Sequence, residues 1–296
     1  MKTFDEVFEK VKGKGGRRIA VAAAADEPVL EAVRDAVSMG LAQADLVGDK
    51  EKIKAIAAKI NFDLHQVNLY DEPDEKEAAR KAVTLVHDGK ASVLMKGLIS
   101  TADFLRAVLN KETGLRTGKT LSSVSVMKSP QIDRFILMTD GGMVMYPGLE
   151  EKVQILENVI PVCRALEIEN PKAAAVCAVE VVNPAMQATL DGASLALMSQ
   201  RGQIKGIMVD GPLGLDNALS EEAARHKGLK GEVAGKADVI LVPDIEAGNI
   251  MYKSLVYMGN TETAALIMGA AAPIIMTSRA DAPKTKLNSL AVALLI

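Results

Sequence analysis

The sequence predicts an α/β protein of mainly parallel sheets covered by helices, and three observations carry that reading. Short apolar runs alternate with longer amphipathic stretches along most of the chain. Parallel strands buried on both faces read as such runs, and the stretches between them are long enough for crossover helices. Hydrophobic residues make up 49% of the chain and charged residues 25%, enough apolar side chain for a sizeable core. The length, 296 residues, suits about two domains. Aromatics are 3% with no Trp, while Met reaches 14, so the core must be built from Ala, Val, Ile, Leu and Met.

The elements follow in order. RIAVAAA (17–23) reads as a buried strand and EPVLEAVRDAVSMGLA (27–42) as a helix. Residues 45–49 are a strand, 50–60 a helix, and 66–71 a strand. Residues 75–89 are a helix closed by Gly89, which tolerates the left-handed backbone of a C-terminal cap. SVLMKG (92–97) is the next strand and STADFLRAVLN (100–110) the next helix. SSVSVM (122–127) and RFILMT (134–139) read as adjacent strands that break the rhythm, and DGGMVMYPG (140–148) as a turn-rich crossing. A domain transition is expected there, at 138/139. The rhythm resumes with helices over 150–167 and 184–201 and strands over 172–179 and 205–211. Residues 212–235 form a polar excursion. ADVILVPD (237–244) is a strand, 247–259 and 261–271 are helices, PIIMTS (273–278) is a strand, and a last helix lies near 284–295.

Several function classes are disfavoured. Lys+Arg 35 against Asp+Glu 38 leaves a net charge of −3, without the basic excess of a nucleic-acid binder. Cys163 and Cys177 form no disulfide framework and suit a reducing compartment. Each sits in an apolar run and reads as core filler rather than nucleophile. The first 18 residues lack the apolar region of a signal peptide, and no charge-free stretch is long enough to span a bilayer, so a cytoplasmic protein is expected. His65, His87 and His226 are scattered, with no metal-ligand spacing. GLRTGKT (114–120) is one residue short of a phosphate-binding P-loop, and no G-x-G-x-x-G is present.

In open α/β sheets ligands bind beyond the carboxyl ends of strands. Three such exits are rich in polar chemistry. In KGLISTADFLR (96–106), Ser100 and Thr101 stand where a helix begins. A hydroxyl there caps the helix; the same position also suits an anion, which free N–H groups and the helix dipole attract. Lys96 and Arg106 flank it. In VPDIEAGNIMYK (242–253), Gly248 permits close backbone approach, Asn249 offers a hydrogen bond, and Lys253 offers charge. In TSRADAPKTK (277–286), Ser278, Arg279 and Asp281 cluster. Arg clamps phosphate or carboxylate with two parallel bonds, and Asp281 is a candidate proton acceptor. Lys284 and Lys286 add charge for a polyanion, or solubility. The bland reading of each exit is ordinary turn and cap chemistry.

At these residues the chain resembles a known family. ADVILVPDIEAGNIMYK (237–253), PIIMTSRAD (273–281) and MKGLISTADFLR (95–106) are similar to the phosphate acetyl/butyryltransferase family, and VDGPLGLDNALS (209–220) looks like its phosphate butyryltransferase branch. The resemblance covers nearly the full length. It implies two α/β domains with an interdomain cleft, as in isocitrate and isopropylmalate dehydrogenases, one domain being formed by both chain ends: residues 1–138 with 275–296, against 139–274. It implies transfer of a butanoyl group between coenzyme A and inorganic phosphate, no metal, no cofactor (coenzyme A being a substrate), and a homodimer or larger homo-oligomer. In the family the serine matching Ser278 lies near the coenzyme A sulfur, and the arginines matching Arg279 and Arg106 bind the phosphate. The acetyl branch has an Asp several residues past its Ser-Arg pair; Thr285 falls near that position, so Asp281 is the substitute base. That branch also has an Arg near the position of Tyr257.

The expected mechanism is direct attack of the coenzyme A thiolate in a ternary complex. The alternatives are an acetyl-specific transferase and a non-catalytic regulator that binds coenzyme A or acyl phosphate. A metal-dependent dehydrogenase of the same fold would need clustered acidic ligands and a nicotinamide site, and neither is evident in the sequence.

Overall fold

Strand and helix alternate from the start of the chain, as the apolar runs require. A computed structural model describes residues 1–13, 16–278 and 281–296, so Arg279 lies outside the described residues. Helix α1 (Phe4–Lys12) buries Phe4, Val7, Phe8 and Val11, the spacing of one helical face. There follow β1 (Arg18–Ala22), α2 (Glu27–Ser38), β2 (Gln43–Gly48), α3 (Lys50–Lys59), β3 (Asn68–Asp71), α4 (Glu75–His87), β4 (Val93–Lys96) and α5 (Thr101–Val108). Helix starts are encoded locally. Asp49, Asp74 and Ser100 are the N-caps of α3, α4 and α5, and each side chain accepts a backbone N–H of the first turn. At the other end of α4, Gly89 has φ +71° and Lys90 N–H bonds back to Leu85 O, the closure expected of it.

The chain continues through β5 (Ser122–Lys128), β6 (Ile136–Thr139), α6 (Leu149–Ala165), β7 (Lys172–Val176), α7 (Gln187–Gln200), β8 (Met208–Leu213), α8 (Leu215–Leu219), α9 (Glu221–His226), β9 (Val239–Leu241) and α10 (Ile245–Tyr257). It ends with β10 (Glu262–Met268), β11 (Ile274–Ile275) and α11 (Pro283–Leu295).

Contacts divide the chain into two units. One is 4–119 with 264–296; the other is 1–3 with 120–263. In the first, strands run in the order β3-β2-β1-β4-β11-β10, all parallel except the β11–β10 pair. Helix α11 is its innermost helix: every residue from Asn288 to Leu295 is buried. In the second, strands run β5-β6-β9-β7-β8, all parallel except the β5–β6 pair. Among the described residues no helix is long and apolar enough to cross a membrane.

Three details depart from the sequence reading. The units change at 119/120 and 263/264, not at 138/139 and 274/275, because β5 pairs with β6 and β6 in turn with β9. Residues 261–271 hold β10 rather than a helix. Its Ala, Leu and Met favour a helix in isolation, and a strand buried along most of its length shows no alternation to betray it. The excursion at 212–235 carries α8 and α9, and its Ala218, Ala224 and Val233 join the core around Ile240.

Candidate active site

The parallel register sets the site of the first unit. Ala22 pairs with Lys96, and Met95 with Ile275, so the exits of β1, β4 and β11 lie side by side at one end of that sheet. The β1 and β4 exits interlock. Gly97 N–H donates to Ala22 O and Leu98 N–H to Ala23 O, both at 2.8 Å. A Cβ on Gly97 would stand 2.3 Å from Ala23 O, so only glycine permits this approach. Three residues beyond the end of β11 comes Ser278, exposed.

The predicted residues 96–106 start from this edge. Lys96, half-buried, ends β4. Ser100 does cap α5: its Oγ accepts Asp103 N–H at 3.1 Å and donates to Asp103 Oδ2 at 2.9 Å. Thr101 follows, exposed. Arg106, 71% exposed at its side chain, pairs with Asp103, and Lys76 lies 3.8 Å from the same carboxylate. The Ser100 hydroxyl first, then Arg106 and Lys76, hold the Asp103 carboxyl below the usual range. Arg106 is therefore tied back to the helix start. Its reach toward that end, read from spacing alone, exists, but with a carboxylate in its grip.

Beyond β11, Ser278 and Asp281 bond to each other. Asp281 N–H donates to Ser278 O at 3.1 Å, and Ser278 N–H donates to Asp281 Oδ2 at 2.8 Å. Asp281 is half-buried and Lys284 is exposed on the first turn of α11. Lys286, read from sequence as general positive charge, is buried.

Asn249 and Lys253 belong to the second unit, on α10. Asp244 caps this helix through Ala247 N–H, so Asn249 lies inside it, exposed. Lys253 lies over the rings of Tyr252 and Tyr257, 5.3 and 5.9 Å from their centroids. The close approach at Gly248 is made to the chain: an added Cβ would stand 2.7 Å from Gly141 Cα.

Sequence reasoning missed Asp140, the buried anchor of that contact. Its carboxylate accepts N–H groups from Ser123, Gly142, Met143 and Val144, all at 3.0 Å, as well as the Ser123 hydroxyl. It thereby shapes the 141–148 loop, whose Met145 O receives Ile245 N–H at the start of α10. An aspartate followed by two glycines was the available signal. A hollow at the carboxyl end of the second sheet was also missed. Tyr146, Leu149, Gln187 and Pro243 line it, together with the buried Lys152–Asp191 pair (2.6 Å). Nothing in the local sequence marks Lys152 of α6 as buried.

Cys163 and Cys177 are buried, and burial pushes both thiols up, Cys163 to about 12. That is the opposite of nucleophile activation. Among the described residues no group of three or more His, Cys, Asp or Glu is placed to hold a metal ion.

The model of the phosphate acetyl/butaryl transferase family matches residues 2–81 and 74–294. The chain belongs to that family. Within the phosphate acetyl/butaryl transferases, a phosphate butyryltransferase of Clostridium acetobutylicum is 55% identical over 296 residues, 100% of this chain and 98% of its own. One from Clostridium beijerinckii is 52% identical over 295 residues, again 100% and 98%. A solved branched-chain phosphotransacylase from Enterococcus faecalis superposes with a TM-score of 0.83 at 30% identity, covering 94% of this chain and 98% of that one. Membership in this family makes the chain an acyltransferase enzyme.

Proposed function

We propose that this enzyme converts butanoyl-CoA and phosphate into butanoyl phosphate and coenzyme A, and the reverse, within a ternary complex. The observation that supports the reading is the register of β4 beside β11, whose neighbouring exits lead to Lys96 and to Ser278 in a chain of this family.

In the direction of thioester synthesis, the thiolate sulfur bonds to the acyl carbon and the C–O bond to phosphate breaks. The thiol proton passes to a base, for which Asp281, whose carboxylate bonds to Ser278 N–H, is the candidate. A free thiol has a pKa of about 8.5, so few molecules are ionised at neutral pH without such help. Ser278 is assigned to the neighbourhood of the sulfur. Arg279 and Arg106 neutralise the departing phosphate, aided by Lys96, Lys284 and the helix start at Ser100 and Thr101. Arg106 must exchange Asp103 for phosphate to do so. Asn249 and Lys253 are assigned to substrate binding.

The same proposal includes kinship of the two units with isocitrate and isopropylmalate dehydrogenases, a homodimer or larger assembly, a cytoplasmic location, and small molecules rather than nucleic acid or membrane as partners. No cofactor or metal enters the scheme. The test is thiol release from acetyl-, butanoyl- and hexanoyl-CoA with phosphate present. Phosphate-dependent release, fastest with butanoyl-CoA, is expected. One methylene is worth about 1–3 kcal/mol in an apolar pocket, so neighbouring lengths should react more slowly but measurably. Preference for acetyl-CoA would reassign the branch, and binding without release would overturn the enzyme reading.

A further inference from the structure

Two lysines are buried among the described residues, Lys152 and Lys286, and their surroundings differ. The ammonium of Lys152 meets a buried carboxylate, Asp191. That of Lys286 donates to two main-chain carbonyls, Ser278 O at 3.1 Å and Asp281 O at 2.8 Å. Burial pushes the Lys286 ammonium down from its ordinary pKa, while Asp281 and Asp26 support its charge.

Neither local propensity nor stability explains a cation there. Lys286 lies in the first turn of α11, which starts at Pro283, and a positive charge at a helix N-terminus opposes the helix dipole. Taking an ammonium out of water is costly even when it is well paired. Its evident consequence is geometric. The two bonded carbonyls are those of Ser278 and Asp281, which also bond to each other, and the donor stands on the most deeply buried helix of its unit. Ser278 and Asp281 are thereby strapped to α11.

We propose that Lys286 is a positioning residue for acyl transfer, holding Ser278 and the Asp281 carboxylate in register with the neighbouring strand exit at Lys96. This assignment rests on the proposed reaction for its catalytic consequence, but not for the strap itself. A misplacement of about 1 Å at a reacting group can cost about a hundredfold in rate, so loss of the strap acts on turnover before it acts on binding.

The experiment compares wild type, Lys286→Met and Lys286→Arg as full-length protein. Steady-state rates with butanoyl-CoA and phosphate are measured beside hydrogen–deuterium exchange of the segment 276–283. For Lys286→Met the expectation is a fall in kcat of at least about tenfold, KM values within about twofold of wild type, and at least about tenfold faster exchange at the Ser278 amide. Lys286→Arg keeps a charged donor and should recover most of both losses. Wild-type kcat in Lys286→Met, unchanged exchange at Ser278, or an arginine variant as impaired as the methionine one would each overturn the proposal. If Lys286→Met does not fold, Lys286→Gln is read by the same two measurements. A wild-type protein inactive on butanoyl-CoA would instead reject the proposed reaction, while the exchange comparison would still decide the strap.

Discussion

At the scale of single residues, Asp281 makes a structural bond beside its proposed role as base, and one substitution separates the two. Its carboxylate accepts Ser278 N–H, a bond that an asparagine oxygen can also accept, whereas only a carboxylate can take a proton. Asp281→Asn is therefore expected to keep the fold, at some cost in stability because the Asp281 charge supports the buried Lys286 ammonium, and to lower kcat by about 10²–10⁴-fold, the range for loss of a general base. A near-normal rate would remove Asp281 from proton transfer. Arg279→Ala should cost more than about a hundredfold in kcat/KM without unfolding the protein, as loss of a fixed charge at the leaving phosphate does.

Cys163 makes a prediction of the opposite kind, about pH and not about activity. Its folded thiol is held at about 12, while an unfolded thiol ionises near about 8.5. Between these values the unfolded chain releases a proton that the folded chain keeps, so this residue's stabilisation is complete below the lower value and is lost as pH rises through the window. Unfolding midpoints from pH 8 to 11 should fall more steeply for wild type than for Cys163→Ala. Parallel curves would refute the assignment. A disulfide reagent at pH 8 should leave Cys163 unlabelled until the chain unfolds.

At the scale of elements, the site depends on how closely loops pass one another. Gly97 lies against the carbonyls of Ala22 and Ala23, and those atoms are main chain, which cannot swing aside as a side chain would. Gly97→Ala should therefore destabilise the protein by about 1–3 kcal/mol, measured by denaturant unfolding, and lower turnover by moving Lys96 and Ser100. Unchanged stability would show that the exit of β4 has room to spare. How much of this was legible in the sequence depends on where each determinant lies. Ser100 announced itself as a cap, and Gly89 as a terminator, because caps are local chemistry between residues a turn apart. Residues 261–271 misled for the complementary reason. Two of the partners of β10 are Ile274 across the hairpin and Ser289, whose hydroxyl receives Ala265 N–H, and no local pattern encodes either contact. Lys286 and Lys152 were equally opaque, since a lysine in an amphipathic stretch reads as a solvated charge until its surroundings are known.

At the scale of the whole molecule, the absence of an activated cysteine and the proposed ternary complex make a kinetic prediction. Initial-rate patterns with butanoyl-CoA and phosphate varied together should intersect, as sequential addition requires. Parallel lines with a trapped acyl-enzyme would reject direct transfer. What the amino-acid order determined unaided was the alternation of strands and helices, their caps, the strand exits rich in polar residues and, through long motifs, the family. These follow from neighbours in sequence, where spacing and side-chain type are sufficient. Tertiary structure alone decided that β4 lies beside β11, that the units change at 119/120 and 263/264, that Asp103 holds Arg106, and that Lys286 reaches two main-chain carbonyls. Each of these but the Asp103–Arg106 and Lys286 contacts joins residues far apart in the chain, and even those two depend on which face each helix buries. Such contacts are selected by close packing and desolvation among non-neighbours, quantities that a linear pattern does not contain.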